Sequence, residues 1–255
     1  MNIIAYIFIF LLGLCIGSFL NVVILRLPKK KKFLKLNQRS KCPKCRHALR
    51  FLDLVPLFSF LFLKFRCRYC HKKISWQYPL VEFLTALFFA LIFWQYGLTW
   101  VALIGFIGAG FLMALAFIDG KFQIVPDSIS LPGIIIILVL QLLTNFKDWQ
   151  SLLLGLLLGS TWFLLQWVVS KGKWVGSGDI RIGALLGVFL GFWGTALALF
   201  ASYFMGSLWA IYLLSRGKAK LKSKIPFGVF LGIFGILAFI FGPEVVSWYK
   251  GIIGL

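Results

Sequence analysis

Residues 180–215 read IRIGALLGVFLGFWGTALALFASYFMGSLWAIYLLS, with Arg181 the only charge in the run. A bilayer-spanning helix takes roughly 17–25 residues, so the run is too long for one span. Gly191, Gly194 and Gly206 offer places to break it. The split expected is 180–192 and 195–215. The number of spans here decides the side of the membrane on which the rest of the chain emerges. A single span would carry Arg216, Lys218, Lys220, Lys222 and Lys224 away from the other basic segments, whereas two spans return them to the same side.

Outward from that run, further apolar stretches lie at 3–25, 80–96, 100–118, 129–144, 150–170 and 226–242. The chain has 255 residues, 61% hydrophobic and 13% charged, against about 25% charged in soluble domains. This composition excludes a soluble globular fold, and its hydrophobicity excludes a disordered chain. An outer-membrane barrel needs alternating segments, and Ile134 to Ile137 do not alternate. The fold expected is an all-α polytopic membrane protein of about eight transmembrane helices. A small loop, cytoplasmic by its basic charge and zinc-binding by its paired cysteines, separates the first two. The division expected is a first helix within 1–25, a basic loop at 26–79 and a transmembrane domain at 80–255. The first span lacks a basic region before it and a small-residue cleavage site after it, so it reads as a retained helix rather than a signal peptide.

The formal charge is 27 − 7 = +20. In a soluble protein that excess would point to nucleic acid. In a membrane protein it sets orientation, and no nucleic-acid partner is expected. Of the 27 basic residues, 16 lie between Arg26 and Lys73, where Asp53 is the only acid. That loop is placed in the cytoplasm and the N-terminus outside. Segments 119–128, 171–180 and 216–225 then also face inward, and their charges are mostly basic. Lys147, Asp148, Glu244 and Lys250 face outward. Lys29 to Lys32 and Lys35 either attract anionic lipid headgroups, at about 1 kcal/mol per basic residue, or only fix the topology.

Four of the five cysteines form two CxxC pairs, Cys42/Cys45 and Cys67/Cys70, 21 residues apart. Each pair offers two thiolates from a tight turn, and Zn2+ takes four in a tetrahedron. Two disulfides or a redox pair are the alternatives, disfavoured in a reducing compartment. Lys44, Arg46 and Arg68 would offset the charge of the thiolates. His47 and His71 read as surface residues, because four thiolates already close such a site. Cys15 reads as a packing residue of the first span.

The chain has only seven acids, and ionisable groups at membrane depth are costly. Asp119 closes the apolar run that begins at Met113, Asp127 follows in Val125-Pro126-Asp127, and Asp179 ends Gly176-Ser177-Gly178-Asp179. In the topology above, Asp119 and Asp179 lie on one side at similar depth. Two carboxylates sharing a site can hold a water, one acting as base and the other as acid. Gly176 and Gly178 would let a substrate strand approach the acid. The plainer readings are a helix-end acid for Asp179, a pair with Lys121 for Asp119, and a helix cap for Asp127.

Taken together, these segments resemble the type IV prepilin peptidases, GxGD aspartic proteases of the membrane. Gly17-Ser18-Phe19-Leu20-Asn21-Val22 with Arg26-Leu27-Pro28 is similar to the family's opening motif, and the paired cysteines follow. Tyr78-Pro79-Leu80-Val81-Glu82 is similar to its YPxVE. Ile118-Asp119 through Pro126-Asp127 looks like its IDxxxxxxPD, Gly176 to Asp179 like its GxGD, and Ile225-Pro226-Phe227-Gly228 like a late PFG motif. One departure is visible. The stretch Leu52-Asp53-Leu54-Val55-Pro56 lacks the Asp-Asn pair found before Ile-Pro in many relatives.

The resemblance implies that Asp119 and Asp179 are catalytic and that Asp127 is accessory. It implies removal of the short basic leader of prepilins or pseudopilins, after a glycine, at the cytoplasmic face of the bacterial inner membrane. It also implies, for many members, N-methylation of the new terminus from S-adenosylmethionine, involving Glu82 and the cysteine loop. Beside a zinc-ribbon scaffold with no chemistry, which would leave the two acids unexplained, two rival readings remain at this stage. One is a membrane methyltransferase without peptidase activity. The other is a proton-coupled transporter, which predicts acids in the middle of broken helices.

Overall fold

The computed structural model describes residues 3–29, 40–218, 220, 223 and 225–253. Lys30, Lys31, Lys32, Lys35, Lys222 and Lys224 lie outside the described residues. The helices are α1 (Ile3–Arg26), α2 (Phe58–Phe62), α3 (Gln77–Tyr96), α4 (Trp100–Phe122), α5 (Asp127–Thr144), α6 (Trp149–Ser170), α7 (Ser177–Ser215) and α8 (Phe227–Ile253). All except α2 are long and apolar enough to cross a membrane, seven in number. Among the described residues β-structure is confined to two isolated bridges. The chain is a multi-pass membrane protein.

It forms two compact units, Met1–Gly97 and Leu98–Leu255. The division falls after α3, whereas the sequence reading divides the chain before it, at residue 80. The reason is small-residue packing. Gly13 and Gly17 of α1 lie directly on α3, where a Cβ would come within 2.6 Å of Ala86 Cα and 2.7 Å of Glu82 Cα. Close backbone approach through small residues is how helices associate in lipid. Asn21 Nδ2 adds a hydrogen bond to the Tyr78 carbonyl at 3.0 Å, and Tyr6 meets Phe93 edge-on.

In the second unit, α7 is assigned as one helix of 39 residues, yet Gly191 has φ 69 and ψ −173. Contacts with α6 show that the chain reverses there. Gly183 rests on Gly159, Gly187 on Gly155, and the Phe192 N–H donates to Ser151 Oγ at 3.2 Å. Up to Gly191, therefore, α7 runs back toward the start of α6. Past it the order inverts, and the Tyr203 hydroxyl accepts from Gln166 Nε2 at 2.8 Å and Trp162 Nε1 at 3.2 Å. Two antiparallel arms, 177–190 and 192–215, replace a single rod. Counting them separately turns the seven long apolar helices into the eight expected.

A break at membrane depth exposes backbone groups that water cannot satisfy. Polar side chains take over. Gln141 Nε2 donates to the Phe189 carbonyl at 3.0 Å. Thr195 Oγ1 donates to Gly191 O at 2.6 Å and Leu186 O at 3.2 Å, and Ser151 Oγ receives the Phe192 N–H. Helix α8 runs antiparallel to the second arm, since Phe227 packs on Tyr203 with ring centroids 4.7 Å apart and Gly242 faces Leu197. Gly232 of α8 also packs on Leu112 and Ala116 of α4. The end of α4 and the starts of α5, α8 and the first arm of α7 therefore meet at one end of this unit.

Candidate active site and metal centre

Asp119 lies in the last turn of α4 and is 8% exposed. Its Oδ2 accepts the Gly228 N–H at 2.8 Å. Gly228 is the second residue of α8, where N–H groups lack intrahelical partners and favour negative charge. Only glycine fits there, because a Cβ would fall 2.8 Å from Asp119 Oδ2 and 2.9 Å from Ile182 Cδ1. Ile182 in turn is one helical turn past Asp179.

Asp179 is partly buried in the first turn of α7. Its Oδ2 accepts the Gly176 N–H at 3.1 Å, the back-reaching half of a capping box. The two carboxylates interact electrostatically, and Asp179 interacts likewise with Tyr203. Gly228, bonded to Asp119, also packs on Ile182, one turn past Asp179, so the two acids belong to the same end of one unit. Both acids stand near helix ends, unlike the mid-helix acids a proton relay predicts. Near a catalytic position, such a pair can share a proton and polarise a water.

The two glycines beside Asp179 differ. At Gly176 the nearest atom to a Cβ is Asp179 Oδ2, 3.6 Å away, so the chain is open there. At Gly178 the Cα face is covered by Val125, whose Cγ2 would be 2.5 Å from a Cβ. That face serves internal packing rather than an incoming strand. Asp127 begins α5, and its Oδ1 pairs with Arg181 Nη1 at 2.7 Å.

In the first unit, Glu82 is 7% exposed. Its Oε2 accepts the Leu57 N–H at 2.9 Å, and the Ser18 side chain hydrogen-bonds to it as well. Leu57 adopts φ 58 and ψ −50, a conformation costly for a non-glycine residue. The carboxylate is therefore held by a strained loop residue and not by its own helix.

The cysteine pairs form two equivalent knuckles. In the first, Cys42 N–H donates to His47 O and Arg46 N–H to Cys42 O. In the second, Cys67 N–H donates to Lys72 O and His71 N–H to Cys67 O. Arg46 and His71 both take positive φ, 60 and 56. The four Sγ atoms lie within 4.8 Å of one another, a spacing that suits a tetrahedral ion with metal–sulfur distances of about 2.3 Å. Burial opposes ionisation of Cys42. Hydrogen bonds from the Cys45 and Lys44 backbones and from the Cys45 and Cys67 side chains outweigh that, and its pKa falls to about 7. The cluster is chemically suited to a metal such as zinc. The knuckles are tied together by His47 on Tyr69, ring centroids 3.7 Å apart. Asp53 adds to this, since its Oδ1 meets Arg68 Nε at 2.9 Å and its Oδ2 receives the Arg50 N–H at 3.0 Å.

Three features escaped the sequence reading. Gly228 was visible only as part of a motif, with no role. Arg181 gave no local signal, because its partner lies on another helix. The Tyr203–Gln166–Trp162 cluster joins two helices and has no signature in either alone.

Fold and site together define a polytopic helical membrane protein that carries a convergent aspartate pair and a separate four-cysteine centre. Residues 11–96 match the bacterial peptidase A24 N-terminal domain, and residues 106–211 match the type IV leader peptidase family. The chain belongs to that family. It is 35% identical over 268 residues to the prepilin leader peptidase/N-methyltransferase of Neisseria gonorrhoeae, covering 93% of this chain and 92% of the relative. The protein of the same name from Pseudomonas aeruginosa is 32% identical over 264 residues, 94% of this chain and 91% of the relative. That from Myxococcus xanthus is 37% identical over 219 residues, 84% of this chain and 64% of the relative. No solved structure matches the chain.

Proposed function

We propose that this chain is a membrane aspartic endopeptidase that removes the short basic leader of type IV prepilins or competence and secretion pseudopilins, after a glycine. Family membership supports the substrate class. The observation that carries the catalytic assignment is the gathering of Asp119 and Asp179 at one end of the second unit, where Gly228 bonds to Asp119 and packs on Ile182, one turn past Asp179.

One carboxylate takes a proton from water as the oxygen attacks the scissile carbonyl. The other, protonated, gives its proton to the carbonyl oxygen. When the tetrahedral intermediate collapses, the C–N bond breaks and the departing amine takes up the proton held by the first carboxylate. No acyl-enzyme forms. Gly228 and Gly176 supply one N–H to each acid and so hold both carboxylates in place. The open chain at Gly176 admits the substrate beside Asp179, and Asp127 is accessory.

Orientation follows from charge. Lys121, Lys171, Lys173, Arg181, Arg216, Lys218 and Lys220 belong to the end of the second unit that carries the aspartates. Lys147 and Lys250, with Asp148 and Glu244, belong to the other. The positive-inside rule then puts the aspartates at the cytoplasmic face of the bacterial cell membrane, with the N-terminus outside and anionic headgroups beside the basic end.

The four cysteines hold zinc in a structural role, folding a loop too small for its own core. N-methylation of the trimmed product is the second activity, with S-adenosylmethionine as the methyl source. A bound donor of that kind supplies an electrophilic methyl group. Glu82, buried and acceptor-only when ionised, suits a cationic group in that unit.

The test is incubation with a synthetic pseudopilin in detergent, followed by mass spectrometry. Loss of the leader is expected, with a further CH2 if methyl transfer occurs. Asp119→Ala and Asp179→Asn should each lower cleavage by about 10²–10⁴-fold, the range for acid–base groups. Full cleavage by either variant would defeat the assignment. Methylation without any cleavage would instead favour a methyltransferase lacking peptidase activity.

A further inference from the structure

The connector between α4 and α5 grips the Asp179 segment at two places. The Val125 side chain covers the Cα of Gly178, with Cγ2 and Cβ at 2.5 and 2.7 Å from where a Cβ would stand. Asp127 Oδ1 meets Arg181 Nη1 at 2.7 Å. These contacts fall on residues 178 and 181, on either side of Asp179.

The other end of the connector is fastened to Asp119. Gln123 takes left-handed backbone, φ 53 and ψ 40, and its N–H donates to the Asp119 carbonyl at 2.8 Å. Phe122 ends α4 and Pro126 caps the start of α5, so little slack remains between. One acid is thus joined covalently to the connector, and the other is clasped by it.

We propose that residues 123–127, together with Arg181, form a spacer that sets the separation of the two catalytic carboxylates, with Asp127 and Arg181 as positioning residues. This rests on the peptidase reading above. The side chains of Arg181 and Asp127 are 36% and 58% exposed, so the pair adds little to stability. Its effect falls instead on distance, to which a shared-water mechanism is sensitive, since a misplacement of about 1 Å can cost about 100-fold in rate. Because the Asp127 carboxylate is committed to Arg181, it does not compete for the water.

The experiment measures kcat and KM for leader removal in the full-length chain, with thermal unfolding alongside. Asp127→Ala and Arg181→Ala should each lower kcat by about 2- to 5-fold, the most that so exposed a pair can bias a geometry, while KM and the unfolding midpoint change little. Arg181→Lys and Asp127→Glu keep the charges and should retain most of kcat. The exchanged pair Asp127→Arg/Arg181→Asp should recover much of what either reversal alone loses.

Unchanged kcat in both alanine variants overturns the spacer. So does a loss carried by KM alone, or one that tracks the unfolding midpoint. If the exchanged pair fails to fold, the two charge-conserving variants decide, and equal losses in Lys, Glu and Ala variants overturn it. A wild type that does not cleave, or an Asp179→Asn variant that cleaves fully, removes the peptidase reading and the spacer together. A cleaving wild type with an inert Asp179→Asn and a fully active Asp127→Ala removes the spacer alone.

Discussion

The two units hold acids on membrane helices by opposite means. In the first, Glu82 is fastened by Leu57, a loop residue held at φ 58, with Ser18 of α1 as a second partner. In the second, Asp119 and Asp179 receive N–H groups from Gly228 and Gly176, beside helix starts set by packing. A carboxylate tied to a loop depends on whatever folds that loop, and here the loop carries the four-cysteine cluster. A carboxylate tied to helix ends depends on how closely the helices approach.

The largest separation between the units should come from Gly228→Ala. Its Cβ would meet Asp119 Oδ2 at 2.8 Å, and we expect leader cleavage to fall by about 100-fold. Methyl transfer onto an already trimmed peptide should persist. Mass spectrometry of both products checks this, and equal loss of the two would erase the contrast.

Metal removal probes the other side of the comparison. Binding requires ionised thiolates, so affinity falls as pH falls and is kept as pH rises. Chelation, or acidification below neutrality, should release the metal, measured with a colorimetric indicator. Proteolytic nicking within 40–76 should then increase while helix α7 stays protected. Cys67→Ser should reproduce the nicking without a chelator. A loop that resists protease without metal would show that Glu82 does not depend on it.

Helix approach is tested by Gly183→Leu. Gly183 lies on Gly159 of α6, and overpacking there should cost about 1–3 kcal/mol, seen as a lower unfolding midpoint. A neutral result would mean the hairpin arms are not set by this contact.

Much of this arrangement is legible along the chain, and its failures share one cause. The cysteine knuckles are local, so spacing alone reveals them. Asp119 and Asp179 stand out because acids are rare in an apolar chain. Gly191, Gly194 and Gly206 look equivalent in sequence, yet only Gly191 takes positive φ. The reason lies in Ser151 and Gln141, which receive or supply hydrogen bonds at the break and sit on other helices. Arg181 with Asp127 and Gly228 with Asp119 depend in the same way on partners distant in the chain.

The unequal arms of α7 set the level of the aspartate pair within its unit. From the turn at Gly191, Asp179 and Tyr203 are each about 17–18 Å along their arms, at ~1.5 Å per residue. The second arm continues about 18 Å beyond that level to Ser215, while the first ends beside Asp179. The aspartates therefore lie at the level where α4 ends and α5, α8 and the first arm begin, and the second arm stands above them.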